Sequence, residues 1–327
     1  MTYRVLVTSK SFAKYNPEVI EELRGKGIEI VRAPKSNMCS QEIAEEVADY
    51  DGIVCGIDPI TREVIDAGKK LKVIHMNGTG VDHIDIREAT RKNVCVGNCP
   101  GANAVAVAEL NLAILLAEAR KIIKYSNRIR EGKWEREVGV ELSGKTMGIL
   151  GLGAIGKKFA ELLEGFHMKI LAYDVKPDYE WCEKRNVTMV ENISKIFEQS
   201  DFISLNLPLL DSTKHIIDEK AFAKMKRDVI IVNTARGSLI RTEDLIRALK
   251  EGRIGGAALD AFETEPLSMD SELRSLDVTL MPHLGSSSIE TMKNVSRIVA
   301  DHLEEVLLHQ DFRNMLNGCF LKNTVVS

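Results

Sequence analysis

The chain has 327 residues, 44% of them hydrophobic and 28% charged, enough apolar material for a large core and too much for a disordered chain. The formal charge is −4, so no basic surplus exists to drive binding to nucleic acid or to an anionic membrane surface. The longest apolar stretches, such as Leu110 to Ala117, fall short of the roughly 20 residues a membrane span needs. The length points to two domains, and the opening Met1 to Lys10 reads as a strand rather than a signal peptide. Six cysteines (Cys39, Cys55, Cys95, Cys99, Cys182 and Cys319) are scattered without a C-x-x-C pair. Cys95 and Cys99 have no second Cys/His pair to complete a zinc site, so no metal is expected, and the thiols read as reduced, partly buried residues of a cytoplasmic protein.

In chain order the pattern alternates strand and helix. The valine-rich run Arg4 to Thr8 predicts the first strand, and Pro17 to Arg24 a helix stopped by Gly25 and Gly27. Ile28 to Val31 predicts a strand, Gln41 to Ala48 a helix, Gly52 to Val54 a strand, Thr61 to Ala67 a helix and Lys72 to His75 a strand; Val94 to Val96 closes the series. Pro100 and Gly101 read as a hinge before a long Ala/Leu/Ile helix, Ala104 to Ala119. A second series has strands at Thr146 to Leu150, Lys169 to Tyr173, Phe202 to Leu205, Val229 to Val232, Ala257 to Leu259 and Thr279 to Leu280, six in number, as in a full dinucleotide-binding sheet. The last helix, Ser288 to about His309, opens on a capping box, with Ser287 or Ser288 as cap and Glu290 three residues after Ser287. This helix and the tail after it are expected to return to the first series, so that the chain crosses twice and leaves a cleft between two domains. Short apolar strands alternating with amphipathic helices mean parallel sheets covered on both faces.

The strand Thr146 to Leu150 runs directly into Gly151-Leu152-Gly153-Ala154-Ile155-Gly156, and a good helix, Lys157 to Glu164, follows. Gly151 permits the tight turn, Gly153 lets backbone approach a pyrophosphate, and Gly156 lets helix and strand pack closely. The helix N-terminus offers free N–H groups and a positive dipole end. Asp174 ends the next strand, 18 residues after Gly156, where a carboxylate can accept hydrogen bonds from the adenosine ribose and repel a 2′-phosphate. NAD is therefore the expected cofactor, with Lys176 close enough to bear on how strict that preference is. The reading is an α/β chain of two domains: a Rossmann NAD-binding domain at residues 100–287, and a flavodoxin-like substrate domain from residues 1–99 plus 288–327.

Three polar residues follow predicted strands of the second series. Arg236 sits in Asn233-Thr234-Ala235-Arg236-Gly237, Glu265 in Glu263-Thr264-Glu265-Pro266, and His283 in Pro282-His283-Leu284-Gly285. Ligands of an open α/β sheet bind at the carboxyl ends of its strands, where all three lie. Reducing a 2-oxo acid needs a hydride, a proton and a grip on a carboxylate. Arg236 can hold the carboxylate and polarise the carbonyl with its planar fork. His283 can give and take the proton, and Glu265 beside it would favour the imidazolium and fix the ring. Taken singly, each has an ordinary alternative as surface cation, loop carboxylate or turn cap.

Over nearly its whole length, through the segments Asn77 to Asp85, Pro100 to Leu110, Gly148 to Gly156, Asn233 to Gly237, Ala257 to Pro266 and Pro282 to Ser286, the chain resembles the D-isomer-specific 2-hydroxyacid dehydrogenase family, and within it the D-3-phosphoglycerate dehydrogenase branch. The resemblance implies an Arg/Glu/His catalytic set, here Arg236, Glu265 and His283. It implies NAD(H) as cofactor and a homodimer built largely through the cofactor domain. It also implies that Ala154, Ile155, Asp174, Leu207, Thr234, Asp260 and Ser286 line the cofactor site together with the three glycines.

On the substrate side, Asn77-Gly78-Thr79-Gly80 follows a first-domain strand, and successive N–H groups in such a turn form a nest for an anion. The expectation is that Asn77, Gly78, Thr79 and Gly80 bind the substrate carboxylate opposite Arg236; a tight turn with Asp82 or Asp85 capping the next helix is the plain alternative. The resembling branch commonly holds a phosphate with first-domain basic side chains. Here Cys55-Gly56-Ile57-Asp58 carries no arginine and Met76 stands where a base is often found, so 3-phosphoglycerate is one candidate among several 2-hydroxy acids. Arg62, Lys133 or a partner-subunit residue are the bases that could reach in. His75, His83 and His215 read as surface or structural, and Trp134 as packing near the cleft or a dimer interface. The rival readings are a non-catalytic NAD(H)-sensing protein of the corepressor type and an oxidoreductase for another small anion such as formate or phosphite.

Overall fold

The structure is a computed structural model that describes residues 2–35 and 38–318. The chain divides into two compact units, residues 1–103 with the stretch from 286 onward, and residues 104–285.

The first unit runs β1 (Tyr3–Val7), α1 (Glu18–Gly25), β2 (Ile28–Arg32), α2 (Ser40–Glu46), β3 (Gly52–Cys55), α3 (Arg62–Ala67), β4 (Val73–Met76), α4 (Ile86–Arg91) and β5 (Cys95–Gly97). Its sheet has the order β2-β1-β3-β4-β5, and every pairing is parallel. Because successive strand residues point to opposite faces, neighbours separate: Val54 and Val73 pack with Phe12, Val19 and Leu23 on one side, and Ile53 and Ile74 with Ile43, Val64 and Ile65 on the other. The strands can therefore be apolar throughout.

The second unit runs α5 (Ala104–Ala119), α6 (Ile122–Arg130), β6 (Thr146–Leu150), α7 (Ala154–Leu162), β7 (Lys169–Tyr173), α8 (Tyr179–Lys184), β8 (Val187–Met189), α9 (Ile193–Gln199), β9 (Phe202–Leu205), α10 (Glu219–Lys224), β10 (Ile230–Asn233), α11 (Thr242–Lys250), β11 (Gly256–Leu259) and β12 (Thr279–Leu280). Its sheet, β12-β11-β10-β9-β6-β7-β8, is parallel throughout and has seven strands rather than the expected six. The extra one is β8, a three-residue edge strand too short to carry a readable alternation. The order reverses direction between β6 and β9, which is where a doubly wound sheet opens a crevice at its carboxyl edge.

Helix α12 (Ile289–His309) belongs to the first unit, where Val295, Val299 and Leu303 join the cluster around β1 and α1. Its cap is Ser288, whose Oγ accepts from the Thr291 N–H at 3.2 Å. The expected capping box with Glu290 does not form; Thr291 answers Ser288 instead, its Oγ1 accepting from the Ser288 hydroxyl at 2.9 Å. On β4, His75 is fully buried, so of the two expected readings, surface or structural, the structural one holds. Its Nδ1 bonds the Met76 carbonyl at 2.8 Å and its Nε2 faces His302 Nδ1 at 2.9 Å. Burial, with the second ring adding, pushes the His75 pKa down to about 3, so it is a neutral structural clamp between β4 and α12. Cys55, Cys95, Cys99 and Cys182 are buried free thiols and Cys39 is an exposed one; Cys319 lies outside the described residues. Among the described residues no helix is long and apolar enough to cross a membrane, and no group of three or more His, Cys, Asp or Glu could hold a metal ion.

Candidate active site

The glycine turn sits at the carboxyl end of β6, at the point where the sheet order reverses. Gly151 has φ +93°, and a Cβ there would lie 2.5 Å from the Asn206 carbonyl oxygen, so only glycine fits the turn against the segment after β9. A Cβ on Gly156 would lie 2.1 Å from the Gly151 carbonyl oxygen, so α7 can close on the turn only with glycine there. Gly153, by contrast, faces open space, with nothing within 4 Å of where its Cβ would be. It is also the N-cap of α7 and contributes no side-chain cap, so the first N–H groups of that helix have no side chain of their own to satisfy them. Exposed Ala154 and half-buried Ile155 form the first turn. The result is a cradle that a side chain would fill, at the positive end of a helix, which fits a pyrophosphate.

Asp174 follows β7. Its Oδ2 accepts from the Leu152 N–H at 2.7 Å and its Oδ1 from the Lys176 N–H at 2.8 Å. The carboxylate therefore also ties the end of β7 to the glycine turn, and each oxygen keeps a lone pair for a ribose hydroxyl. Leu207 is half-buried beside the turn. Thr234, at the end of β10, is buried, and its Oγ1 has no hydrogen-bond partner among the described residues, an orphaned polar atom of the kind a ligand completes. Asp260, after β11, is fully buried and accepts from the N–H groups of Leu284 and Gly285 at 2.7 and 2.8 Å; burial holds its pKa above the ordinary range despite those bonds. Ser286 is exposed and falls in the first unit. The donor set of the second unit fits a dinucleotide.

Arg236, Glu265 and His283 line one cavity of about 260 Å³, with Leu209, Gly237, Ser238, Phe262 and Glu263. Arg236 is delivered by the turn after β10, where Asn233 Nδ2 donates to the Arg236 carbonyl at 2.9 Å and Asn233 Oδ1 accepts from the Ala235 N–H at 3.1 Å. Glu265 Oε2 and His283 Nδ1 are 2.8 Å apart, and Glu265 Oε1 accepts from the Phe262 N–H at 2.9 Å. Burial works to raise the Glu265 pKa, but the bond to His283, the Phe262 N–H and the positive charges of His283 and Arg236 outweigh it and leave it lowered. The bond to Glu265 raises the His283 pKa against partial burial and against Arg236. His283 holds φ +55°, a left-handed conformation kept in place by the two N–H bonds to Asp260. The site thus offers a guanidinium and an imidazole biased toward its charged form, with ring Nε2 left for chemistry.

In the first unit, Asn77 Nδ2 donates to Ser9 Oγ and Ser11 Oγ, both at 2.9 Å. Thr79 Oγ1 donates to the Cys99 carbonyl at 3.0 Å, and Asn98 Nδ2 to the Thr79 carbonyl at 2.7 Å. Asn77 Nδ2 and the Thr79 hydroxyl are therefore spent on holding the loop, while Asn77 Oδ1 is buried with no hydrogen-bond partner among the described residues. No described residue accepts a backbone hydrogen bond from Gly78, Thr79 or Gly80, so their N–H groups remain available. Asp85, not Asp82, caps α4, accepting from the Glu88 N–H at 2.9 Å.

Sequence reasoning missed two sets of residues. Ser9 and Ser11, after β1, meet Asn77 across more than sixty residues of chain. His215 and Glu263 form a second imidazole–carboxylate pair, Nε2 to Oε1 2.6 Å, beside the first. The only sequence signal for the latter was a glutamate two residues before Glu265.

Residues 112–285 match the family model described as D-isomer specific 2-hydroxyacid dehydrogenase, NAD binding domain. The chain is 40% identical to a D-3-phosphoglycerate dehydrogenase of Methanocaldococcus jannaschii, over 86% of this chain and 54% of that one, so it spans about half the length of that relative. It is also 40% identical to a glyoxylate reductase of Thermofilum pendens, over 82% of this chain and 81% of that one. Among solved structures, a glyoxylate reductase from Paecilomyes thermophila superposes with a TM-score of 0.86 at 30% identity, covering 96% of this chain and 98% of that one.

Proposed function

Because the chain belongs to the D-isomer specific 2-hydroxyacid dehydrogenase family, we propose that it is an NAD-dependent oxidoreductase acting at C2 of a D-2-hydroxy acid and its 2-oxo acid partner. The observation that carries this reading is the convergence of Arg236 and the Glu265–His283 pair on one cavity. Bound NAD(H) supplies or accepts the hydride. The glycine turn Gly151 to Gly156 and the α7 N-terminus hold its phosphates, Asp174 its ribose, and Leu207, Thr234, Asp260 and Ser286 are assigned to the same site. Arg236 grips the substrate carboxylate and polarises the C2 carbonyl as negative charge develops on its oxygen. His283 gives the proton from Nε2 during reduction and takes it back during oxidation, while Glu265 keeps the ring in one orientation and steadies the imidazolium.

The first unit is assigned the role of substrate domain, with Asn77 to Gly80 as substrate-binding residues whose free N–H groups suit an anion. The substrate is a small 2-oxo acid; 3-phosphohydroxypyruvate, the oxidised partner of 3-phosphoglycerate, is one candidate beside hydroxypyruvate, glyoxylate and pyruvate. A homodimer through the second unit is part of the same proposal: Trp134 is 84% exposed and Val138 98% exposed on the segment after α6. Bulky apolar side chains gathered on one segment mark a surface that a partner covers.

NADH consumption across those four 2-oxo acids tests the reading; oxidation of NADH by none of them removes it. Within an active enzyme, His283→Ala is expected to lower turnover by about 10²- to 10⁴-fold while NADH affinity stays within about twofold. Near-normal turnover in that variant would take His283 out of the mechanism.

A further inference from the structure

We propose that Glu263, paired with His215, is a positioning residue: it locks the turn carrying Glu265 against the turn carrying Arg236 and so sets how Glu265 meets His283. The inference borrows from the dehydrogenase reading only the use to which the site is put.

The two turns are in direct backbone contact. A Cβ on Gly237 would lie 1.8 Å from the carbonyl carbon of Phe262 and 2.3 Å from the Glu263 nitrogen, so the residue after Arg236 is pressed onto the residues just before Glu265. Close contact alone lets two turns slide. Glu263 spans the seam. Its Oε2 accepts from the Thr242 N–H at 2.8 Å, at the start of α11, the helix that follows the Arg236 turn. Arg241, the N-cap of α11, supplies no side-chain cap, so the capping carboxylate comes from another segment of the chain and sits at the positive end of the helix. Its Oε1 meets His215 Nε2 at 2.6 Å, while the His215 N–H donates to the Ser238 carbonyl at 2.8 Å. His215 thus grips both turns, one by its ring and the other by its backbone. Ile217 extends the grip, its N–H donating to the Leu239 carbonyl at 3.0 Å.

The division of labour on one turn follows. Glu265 faces His283 and the Phe262 N–H; two residues earlier, Glu263 faces His215 and Thr242. Both oxygens of Glu263 are engaged, so it acts through Glu265 and not on the substrate, although it borders the same cavity. Partial burial works to raise its pKa, but the Thr242 hydroxyl and N–H, and after them the His215 bond, outweigh it and leave it lowered, so the clamp keeps its charge at neutral pH. Without it, the Phe262 to Pro266 turn keeps its backbone contact, the packing of Phe262 on the core and the bonds Glu265 itself makes, but no charged tie to the Arg236 turn. A displacement near 1 Å at a reacting group costs on the order of 10²-fold in rate.

The test is Glu263→Ala beside Glu263→Gln, which keeps one acceptor for Thr242 and an amide that a neutral His215 can receive. Glu263→Ala is expected to lower kcat about 10- to 100-fold with NADH affinity within about twofold, and to move the alkaline limb of the reduction pH profile down by about half a unit or more as the Glu265–His283 bond loosens. Glu263→Gln is expected to recover most of both. Loss of helix capping alone would lower the melting temperature and leave that limb in place. If Glu263→Ala does not fold, His215→Ala, which leaves the α11 cap intact, carries the test with the same two readouts. Wild-type kcat and an unmoved limb in the folded variant overturn the proposal. Titrating the His283 ring by NMR keeps the two readings apart, because it needs no turnover. A wild type inactive on every oxo acid removes the dehydrogenase reading, and a His283 titration identical in wild type and variant removes the positioning role.

Discussion

In the proposed mechanism His283 concentrates the chemistry of the site in one ring, and its environment dictates a signed pH dependence. Its folded pKa is raised above the ordinary value near 6.5, first by the bond to Glu265. A raised histidine holds its proton below that value and releases it only as pH climbs through the higher folded one. Reduction, which needs the imidazolium, should therefore be flat at acid pH and fall on the alkaline side of 6.5; oxidation should rise over the same window. Whatever stability the pair contributes is fully present between about 4.5 and 6.5; it is lost as pH rises through the raised His283 pKa and as pH falls through the lowered Glu265 one. Glu265→Gln removes the largest influence raising the pKa and leaves burial and Arg236 lowering it against Asp260 alone, so the limb should move to lower pH, read from kcat/KM for reduction against pH. A limb that stays put in that variant would mean the group titrating in the profile is not His283. At this scale the sequence is readable where a residue announces itself by type and place: Arg236, Glu265 and His283 each follow an apolar strand in a polar turn. It is silent on Ser9, Ser11 and Glu263, and it reads His215 only as surface or structural, without its partner. Their partners lie far along the chain, and serine or glutamate in a loop is the commonest of residues.

Among the elements, the end of β7 and the glycine turn between β6 and α7 are tied through Asp174, and the tie changes what its substitution means. The carboxylate accepts from Leu152 inside the glycine turn as well as standing at the position proposed for the ribose. Asp174→Ala should therefore do two things at once: weaken NAD binding by loosening the turn, and narrow the preference for NAD over NADP by removing a charge that repels a 2′-phosphate. Asp174→Asn keeps an acceptor for Leu152 and loses only the charge, so it should retain more NAD affinity than the alanine variant while showing the same change in preference. KM values for both cofactors in the two variants check this; unchanged cofactor kinetics would exclude the ribose role. Most of the elements were legible because parallel strands buried on both faces read as short apolar runs, and α5 and β6 begin and end where the pattern places them. Where the reading failed, the physics was local. Strand β8 has three residues and an exposed edge, and the α12 cap turns on a Ser288–Thr291 exchange that a search for glutamate at the third position overlooks.

For the whole molecule, composition and periodicity were sufficient to indicate two parallel α/β units, because each unit buries its own core and imprints its own alternation of strand and helix. Subunit association leaves no such imprint; its trace is apolar surface with nothing over it. The α6 region carries that trace. Ile122 and Ile129 on α6 are about half exposed, and none of the helix's residues is buried. Beyond it Trp134 and Val138 stand almost wholly in solvent. Leaving a tryptophan and several branched side chains exposed forgoes roughly 1.5–3 kcal/mol for each large group that a partner would bury. A second copy of this chain covering the segment recovers that burial on both sides at once, since a two-fold interface uses the same patch twice. Wild type should then sediment near twice the 36.4 kDa chain mass, and its melting temperature should rise with protein concentration, because association stabilises only the folded chain. Trp134→Glu with Val138→Glu places two charges in that patch without touching a core residue. It should yield monomer at micromolar concentration, with a melting temperature that no longer depends on concentration. A wild type that sediments as a monomer, or a doubly charged variant that still dimerises, would detach this segment from any role in assembly.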